Sequence, residues 1–176
     1  MRIISGYLGG RIIKSPRSFD KHLRPTTDKA RESLFNILSH RINFDGFRCI
    51  DLFCGTGSLG LECISRGASG CIFVDTHIHL VYENIKLLNL IDKCEIIKDD
   101  VFHFLRKNTQ HYHLGFADPP YRFQYYKELI SLVSTCIDFF ILEHNVPNID
   151  FSIYKNKIVM QRTIGKSHFT FINFKI

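Results

Sequence analysis

From Arg48 onward, short apolar runs alternate with longer amphipathic runs, and this alternation is the feature that most constrains the fold. The apolar runs predict strands at 48–53, 71–75, 94–98, 113–117 and 137–142. The amphipathic runs between them predict helices near 58–66, 77–90, 100–107 and 122–134. Such alternation is typical of parallel sheets with helices on both faces, so we expect an α/β, doubly wound, Rossmann-like fold.

The two ends of the chain depart from this alternation. Near the end, residues 158–162 and 168–174 flank Gly165-Lys166, which predicts an antiparallel hairpin at the edge of the sheet. At the start, the apolar pairs at 3–4 and 12–13 flank a glycine-rich centre, which predicts an N-terminal β-hairpin. A turn with an N-cap candidate then predicts a helix at about 27–40.

A glycine-rich segment, Asp51 to Gly60, follows the first predicted strand of the alternating region and opens a helix. Gly55 and Gly57 stand where a backbone must turn sharply and approach a ligand closely. Asp75 ends the next predicted strand, where a carboxylate can accept hydrogen bonds from ribose hydroxyls. Folds that bind nicotinamide dinucleotides and folds that bind S-adenosylmethionine both share these features.

Asp51 distinguishes the two kinds of cofactor. Its carboxylate at the end of the strand suits the ammonium group of S-adenosylmethionine and would repel the pyrophosphate of a dinucleotide. Asp100, after the third strand, could receive the adenine amino group, and we prefer it to Asp99; a helix N-cap is a comparable role for either. The predicted cofactor-binding residues are therefore Asp51, Phe53, Gly55, Gly57, Asp75 and Asp100.

The motif Asp118-Pro119-Pro120-Tyr121 follows the fourth predicted strand, and a dehydrogenase has no reason to carry it. An exocyclic amine on a purine is a poor nucleophile because its lone pair is delocalised into the ring. Asp118 and the carbonyl of Pro119 can each accept an N–H of that amine, and Tyr121 can stack on a flipped-out base. We predict that Asp118, Pro119 and Tyr121 are catalytic residues for methyl transfer to a planar amine.

Positive charge is concentrated at the start of the chain. Residues 1–31 contain eight Lys and Arg against two Asp, which equals the whole formal charge of +6, so the rest of the chain is balanced. This distribution favours a polyanion such as nucleic acid, although a solvated basic segment is an equal alternative. The candidate contacts are Arg2, Arg11, Lys14, Arg17, Arg24 and Arg31; salt bridges or cofactor contacts are alternatives for Arg24 and Arg31.

Composition limits the other function classes. The six cysteines include no CxxC pair and lie mostly in apolar runs, and the two HxH pairs lack acidic or thiol partners at metal-ligand spacing, so we expect no metal site. No run approaches the length of a membrane span and no opening segment resembles a signal peptide, so we expect a cytoplasmic protein without a membrane contact. We expect one domain, 1–176, with a basic hairpin and loop extension at 1–26 and a catalytic core at 27–176.

These residues resemble the RsmD-type family of class I methyltransferases. The resemblance covers nearly the whole chain and rests on 2–6, 23–28 with 31–36, 51–62, 118–121 and 165–167; the block from Arg24-Pro25-Thr26 to Leu34-Phe35-Asn36 is the part specific to this family. It implies S-adenosylmethionine as donor and the N2 of a guanine, guanine 966, in 16S ribosomal RNA as acceptor, within the small ribosomal subunit or an assembly intermediate. For the cofactor, the resemblance implies that Asp51, Gly55 and Gly57 line its methionine end, that Asp75 contacts its ribose and that Asp100 contacts its adenine. For the substrate, it implies that Asp118 and Tyr121 hold the target base, and that residues 23–31 border both the cofactor and the RNA.

The chain departs from the family pattern at a few positions. Asp75 stands where the family often has Glu, and His77 where a second acidic residue is common, so we expect a looser ribose contact. The segment 143–157 is short and rich in Asn and Lys at the edge of the substrate face. Two other functions stay open: methylation of DNA adenine N6 or a protein glutamine amide, and a non-catalytic nucleic-acid-binding domain. In every case we expect a monomer.

Overall fold

A seven-stranded sheet forms the centre of the computed structural model, which describes residues 1–16, 28–145 and 149–176. The strands are β1 Arg48–Leu52, β2 Gly70–Asp75, β3 Cys94–Lys98, β4 Tyr112–Ala117, β5 Ile137–His144, β6 Ile158–Ile164 and β7 Ser167–Asn173. Their order across the sheet is β3-β2-β1-β4-β5-β7-β6, and the first five neighbours run parallel. β7 pairs antiparallel with β5 and with β6, which confirms the predicted hairpin at the edge.

Five α-helices connect or precede these strands. They are α1 Asp28–Ser39, α2 Ser58–Ser65, α3 His79–Leu87, α4 Val101–Lys107 and α5 Tyr126–Val133, and short 3-10 helices span Ile91–Lys93 and Ser152–Lys157. Apart from the N-terminal hairpin, each predicted strand and helix is present within a few residues. The largest difference is at α5, predicted from 122, because the residues after β4 first form a turn in which the Phe123 N–H donates to the Pro120 carbonyl at 2.8 Å.

The helices cover both faces of the sheet, as the alternation predicts. α1, α2 and α3 pack on one face, where Phe35 of α1 contacts Phe116 of β4 at 5.9 Å between ring centroids. α4 and α5 pack on the other face, where Leu105 and Leu129 are buried. Because side chains alternate along a strand, Asp51 faces the first of these layers, toward α2.

The first sixteen residues, which we call the leader, lie on the same layer as α2. Their antiparallel pairing is confirmed by the bridge Arg2↔Ile12 and by the Ile3 N–H bond to the Arg11 carbonyl at 2.9 Å. The pairing amounts to one bridge rather than two regular strands. At Gly6, where φ is +80°, a Cβ would lie 1.8 Å from the Ser65 carbonyl oxygen, so the close approach of the leader to α2 requires glycine.

No helix in the described ranges is long and apolar enough to cross a membrane. The predicted extension at 1–26 is described only as far as residue 16, and its loop lies outside the described residues.

Candidate active site

The candidate site lies where the strand order reverses. β1 is flanked by β2 on one side and by β4 on the other, and Leu52 is in register with Ala117. In a doubly wound sheet the connections on the two sides of such a point turn away from each other and leave a crevice at the carboxyl ends of the strands. The glycine loop follows β1 and the Asp118 motif follows β4, so the fold brings the two predicted motifs to the same crevice.

The glycine loop is built from backbone in the left-handed region. Phe53, Gly55 and Gly57 have φ of 56°, 53° and 75°. A Cβ at Gly57 would lie 2.6 Å from Cγ2 of Val81, so this glycine lets the loop pack on α3. A Cβ at Gly55 would meet nothing within 4 Å, so Gly55 borders open space that a ligand can approach. The two glycines predicted from sequence therefore have different roles: Gly57 allows close packing on α3, and Gly55 leaves space for a ligand.

Asp51 is a buried carboxylate beneath this loop. Its Oδ2 accepts the Gly60 N–H at 3.0 Å, near the start of α2. Burial raises the pKa of Asp51 to about 8; the Gly60 hydrogen bond opposes the rise, and the negative charge of Asp75 adds to it. A cation next to Asp51 would favour its ionised form, so the site suits the ammonium group that the sequence predicts.

Asp75 holds the glycine loop from the next strand. Its Oδ2 accepts the Gly55 N–H at 2.9 Å and its Oδ1 accepts the His77 N–H at 2.9 Å. A carboxylate oxygen can accept more than one hydrogen bond, so these contacts leave acceptor capacity for ribose hydroxyls. The structure thus gives Asp75 a local role in shaping the loop, and its contact with ribose stays a prediction.

Asp100 is the N-cap of α4. Its Oδ1 accepts the N–H groups of Phe102 and His103, each at 3.0 Å. Asp99 pairs instead with the side chain of His103 at 2.7 Å, and this hydrogen bond holds the pKa of Asp99 below its usual range. The capping role considered as an alternative for Asp100 is therefore present, and an adenine contact through its second oxygen stays a prediction.

The Asp118 motif forms the opposite wall of the crevice. Asp118 is half-buried and Pro119 is buried, whereas the Tyr121 side chain is 75% exposed. The Asn145 amide donates to the Tyr121 carbonyl at 3.1 Å and ties the motif to the end of β5. An exposed aromatic ring next to a carboxylate is the arrangement that a stacked base with an exocyclic amine would use.

Sequence reasoning missed an aromatic cluster beside this motif. Phe123 contacts Phe53 at 5.5 Å, Phe102 at 6.0 Å and Tyr126 at 4.9 Å between ring centroids. Burial, and then the negative charge of Asp118, raise the pKa of Tyr126. The run Tyr121 to Tyr126, with four aromatics in six residues, is the sequence signal that could have revealed the cluster.

The predicted basic residues fall into different settings. Arg2 and Arg11 are exposed on the leader, whereas Lys14 pairs with Glu83 at 3.0 Å. Arg17 and Arg24 lie outside the described residues.

Arg31 requires a correction. Its side chain is completely buried, and its Nη2 donates to Asp28 Oδ1 and to the Arg2 carbonyl oxygen, each at 2.6 Å. A guanidinium without solvent exposure does not contact an RNA phosphate, so the structure favours the salt-bridged structural role over nucleic-acid binding. The burial of Arg31 results from the packing of α1 against the leader, and it could not be predicted from the charge pattern of the sequence.

The donor groups of the crevice fit S-adenosylmethionine. Asp51 is a buried carboxyl group that would ionise beside an ammonium group, Gly55 leaves room for close approach, and the rings of Phe53, Phe102 and Phe123 form an apolar cluster that a purine could contact. Among the residues that the structure describes, no group of three His, Cys, Asp or Glu side chains could hold a metal ion. A separate cavity at the amino-terminal edge of the sheet, lined by Cys49, Cys71 and Cys94, contains none of the predicted site residues.

Known proteins share this sequence and this architecture. A family model described as Conserved hypothetical protein 95 matches residues 1–173. Ribosomal RNA small subunit methyltransferase D of Buchnera aphidicola subsp. Acyrthosiphon pisum is 42% identical over 137 residues, covering 74% of this chain and 68% of the relative. The protein of the same name in Escherichia coli K12 is 36% identical over 135 residues, covering 76% of this chain and 66% of the relative.

Solved structures agree with the sequence relatives. The candidate methyltransferase yhhF of Escherichia coli superimposes with a TM-score of 0.81 at 26% identity, covering 98% of this chain and 97% of that one. A hypothetical protein of Thermus thermophilus gives a TM-score of 0.82 at 23% identity, covering 98% and 99% of the two chains. The predicted α/β, Rossmann-like fold is thereby confirmed.

Proposed function

Because the chain belongs to the RsmD-type methyltransferase family, whose model is described as Conserved hypothetical protein 95, we propose that it methylates the exocyclic N2 of a guanine in 16S ribosomal RNA. S-adenosylmethionine is the methyl donor. The observation that carries the proposal is the placement of Asp118-Pro119-Pro120-Tyr121 after β4, directly beside the glycine loop after β1. Guanine 966 is the proposed target.

The cofactor supplies a sulfonium methyl group that is open to direct displacement. Asp51 would pair with the ammonium group of the cofactor, and Asp75 would receive the ribose hydroxyls while it holds Gly55 in place. These residues would hold the cofactor on the β1 side of the crevice, across from the motif that follows β4. Positioning of this kind supplies much of the rate acceleration in a displacement reaction.

The acceptor amine is held by the other wall of the crevice. Asp118 accepts one N–H of the guanine amine and the Pro119 carbonyl accepts the other, so the nitrogen lone pair turns toward the methyl group. Tyr121 stacks on the base, an interaction worth about 1–3 kcal/mol. Asp118 needs only to accept a hydrogen bond and to balance the positive charge that develops on nitrogen as the carbon–sulfur bond breaks and S-adenosylhomocysteine leaves. The methylated nitrogen then releases one proton to solvent.

The leader presents the RNA-docking charge. Arg2 and Arg11 are exposed on the layer that carries α2 and α3, and Met1 of the same leader lies 3.6 Å from the Thr56 hydroxyl of the glycine loop. We propose that these cations contact phosphates of 16S rRNA, within the small ribosomal subunit or an assembly intermediate, and that the enzyme is cytoplasmic. A single chain supplies every group in this scheme, which supports an enzyme that acts as a monomer.

A methylation assay with nucleoside analysis tests the proposal. The protein is incubated with labelled S-adenosylmethionine and, separately, with 16S rRNA, unmodified small subunits or DNA, and the products are digested to nucleosides. We expect N2-methylguanosine in 16S rRNA, and replacing guanine 966 should remove it. N6-methyladenosine in DNA would instead support the alternative amino-methyltransferase, which the motif permits because Asp118 recognises the amine rather than the ring.

Asp118→Ala and Asp118→Asn separate catalysis from folding. Each variant should lower turnover by at least about 100-fold, since Ala removes both the acceptor and its negative charge, whereas Asn keeps an amide oxygen but removes the negative charge. Affinity for S-adenosylhomocysteine, measured by calorimetry, should stay within about threefold of wild type, because the cofactor groups lie on the β1 side of the crevice. Turnover close to wild type in both variants would contradict the assigned role of Asp118.

A further inference from the structure

Asn84 is a fully buried amide on α3 that joins the leader to the glycine loop. Its Oδ1 accepts the Lys14 N–H at 2.6 Å, and its Nδ2 donates to the Lys14 carbonyl at 3.1 Å and to the Thr56 carbonyl at 2.9 Å. We propose that Asn84 is a positioning residue that couples the leader to the cofactor loop, so that RNA docking and cofactor binding strengthen each other. The RNA half of this inference rests on the proposed function, whereas the cofactor half does not.

Thr56 lies in a part of the glycine loop whose backbone conformation a hydrogen bond from outside the loop can stabilise. It lies between Gly55 and Gly57, which both adopt positive φ, and glycine loses more conformational freedom on ordering than any other residue. The Asn84 bond fixes the Thr56 carbonyl before the cofactor arrives. A loop that is already ordered costs less to bind, so the support should appear as tighter cofactor binding.

The leader at the other end of this connection is itself firmly anchored. The buried Glu62 carboxylate accepts the N–H groups of Ile4 at 2.7 Å and Ser5 at 3.0 Å. The hydroxyl of Ser65 accepts the Leu8 N–H at 3.0 Å. Buried polar groups of this kind are stable only in one arrangement of their partners. A shift of the leader therefore also moves its contact with Asn84, because the leader cannot rearrange locally without breaking these hydrogen bonds.

A second contact connects the same two elements. The Thr56 hydroxyl lies 3.6 Å from the Met1 sulfur, so the start of the leader contacts Thr56 directly, whereas Lys14 reaches it through Asn84. Phosphates bound at Arg2 and Arg11 would restrain the leader, and through Asn84 they would restrain the loop. By thermodynamic linkage, the cofactor must raise RNA affinity by the same factor by which RNA raises cofactor affinity.

Asn84→Asp tests the connection with little change in shape. The variant keeps an oxygen to accept the Lys14 N–H but replaces the donor to the Thr56 and Lys14 carbonyls with a second acceptor. The matched control is Glu62→Gln, which perturbs the leader anchor at Ile4 and Ser5 and leaves the Thr56 contact intact. Calorimetry with S-adenosylhomocysteine, run well below the melting temperature of each variant, should show about tenfold weaker binding for Asn84→Asp and a smaller loss, of no more than about threefold, for Glu62→Gln, in which the Asn84 contacts are intact.

The coupling is read from RNA binding with and without the cofactor product. We expect S-adenosylhomocysteine to raise the affinity of wild type for a 16S rRNA transcript by about fivefold or more, and to have no effect on Asn84→Asp. Equal losses of cofactor affinity in Asn84→Asp and Glu62→Gln, or unchanged affinity in Asn84→Asp, would overturn the inference. If no RNA binds but the calorimetric difference persists, the proposed RNA substrate fails and the positioning role of Asn84 stands.

Discussion

Asp51 makes the stability of this protein depend on pH in an unusual direction. In the unfolded chain its carboxyl group has a pKa near 3.8, and burial raises the pKa to about 8 in the folded chain. Between these values the folded state holds a proton that the unfolded state has lost. Stability from this group is therefore complete below pH 3.8 and is lost as pH rises through about 8, because the unfolded state binds fewer protons.

The size of the effect follows from the two pKa values. One pH unit corresponds to about 1.4 kcal/mol for a single proton. A rise in pKa from 3.8 to about 8 therefore corresponds to roughly 6 kcal/mol of unfolding free energy lost across that window. Asp51→Asn stays neutral at every pH and can still accept the Gly60 N–H, so it should remove the whole dependence.

Urea unfolding followed by circular dichroism gives the free energy of unfolding of wild type and of Asp51→Asn at pH 5, 6, 7 and 8. The difference in unfolding free energy, wild type minus Asp51→Asn, should fall by about 1.4 kcal/mol per pH unit from pH 5 to pH 7 and begin to level off near pH 8. Asp75→Asn removes a negative charge that raises the pKa of Asp51, so in that background the levelling should begin at lower pH. A flat difference from pH 5 to pH 8 would refute the reasoning, because Asp51 would then be ionised in the folded protein.

Two further predictions concern the glycine loop and the leader. Gly57→Ala should lower the free energy of unfolding in urea by about 2–4 kcal/mol, because its φ is +75° and its Cβ would lie 2.6 Å from Val81. Gly46→Ala is the control, with φ of +74° and open space around it, and should lower the free energy of unfolding by about 1–2 kcal/mol. Equal losses in the two variants would show that packing on α3 is unimportant. Replacing Arg2 and Arg11 by Glu should weaken 16S rRNA binding and reduce the slope of log affinity against log salt concentration by about 1–2. In the control variant, Lys155 and Lys166 are replaced by Glu, and the slope should change little. An unchanged slope for the Arg2 and Arg11 variant would leave the leader charge without a role in docking.

Local signals explain why so much of the sheet could be predicted. Strands that are buried on both faces form continuous apolar runs, and helices between them show a 3.6-residue period, so β1 to β5 could be recognised without tertiary information. The glycines at 55 and 57 and the Asp118 motif were found for the same reason, since each depends on neighbouring residues. The start of α5 was misplaced because the turn after Pro120 continues an amphipathic pattern.

Side-chain roles that depend on distant partners could not be predicted in this way. Arg31 belongs to a basic segment, and only its burial between α1 and the leader shows that it is structural. Asn84 lies within an ordinary amphipathic helix, and its contacts with Lys14 and Thr56 join residues 70 and 28 positions away. A hydrogen bond across such separations leaves no periodic trace in the sequence.

The sequence by itself determined the succession of strands and helices along the chain, the glycine loop and the motif at 118–121, because backbone preference and hydrophobic period act over a few residues. The tertiary structure decided that the loop after β1 and the motif after β4 share one crevice, since that depends on which strands are neighbours in the sheet. It also decided that burial raises the pKa of Asp51 and that the leader reaches the cofactor loop through Asn84. Burial and long-range contacts arise only when separate segments pack together, which is why they belong to the fold.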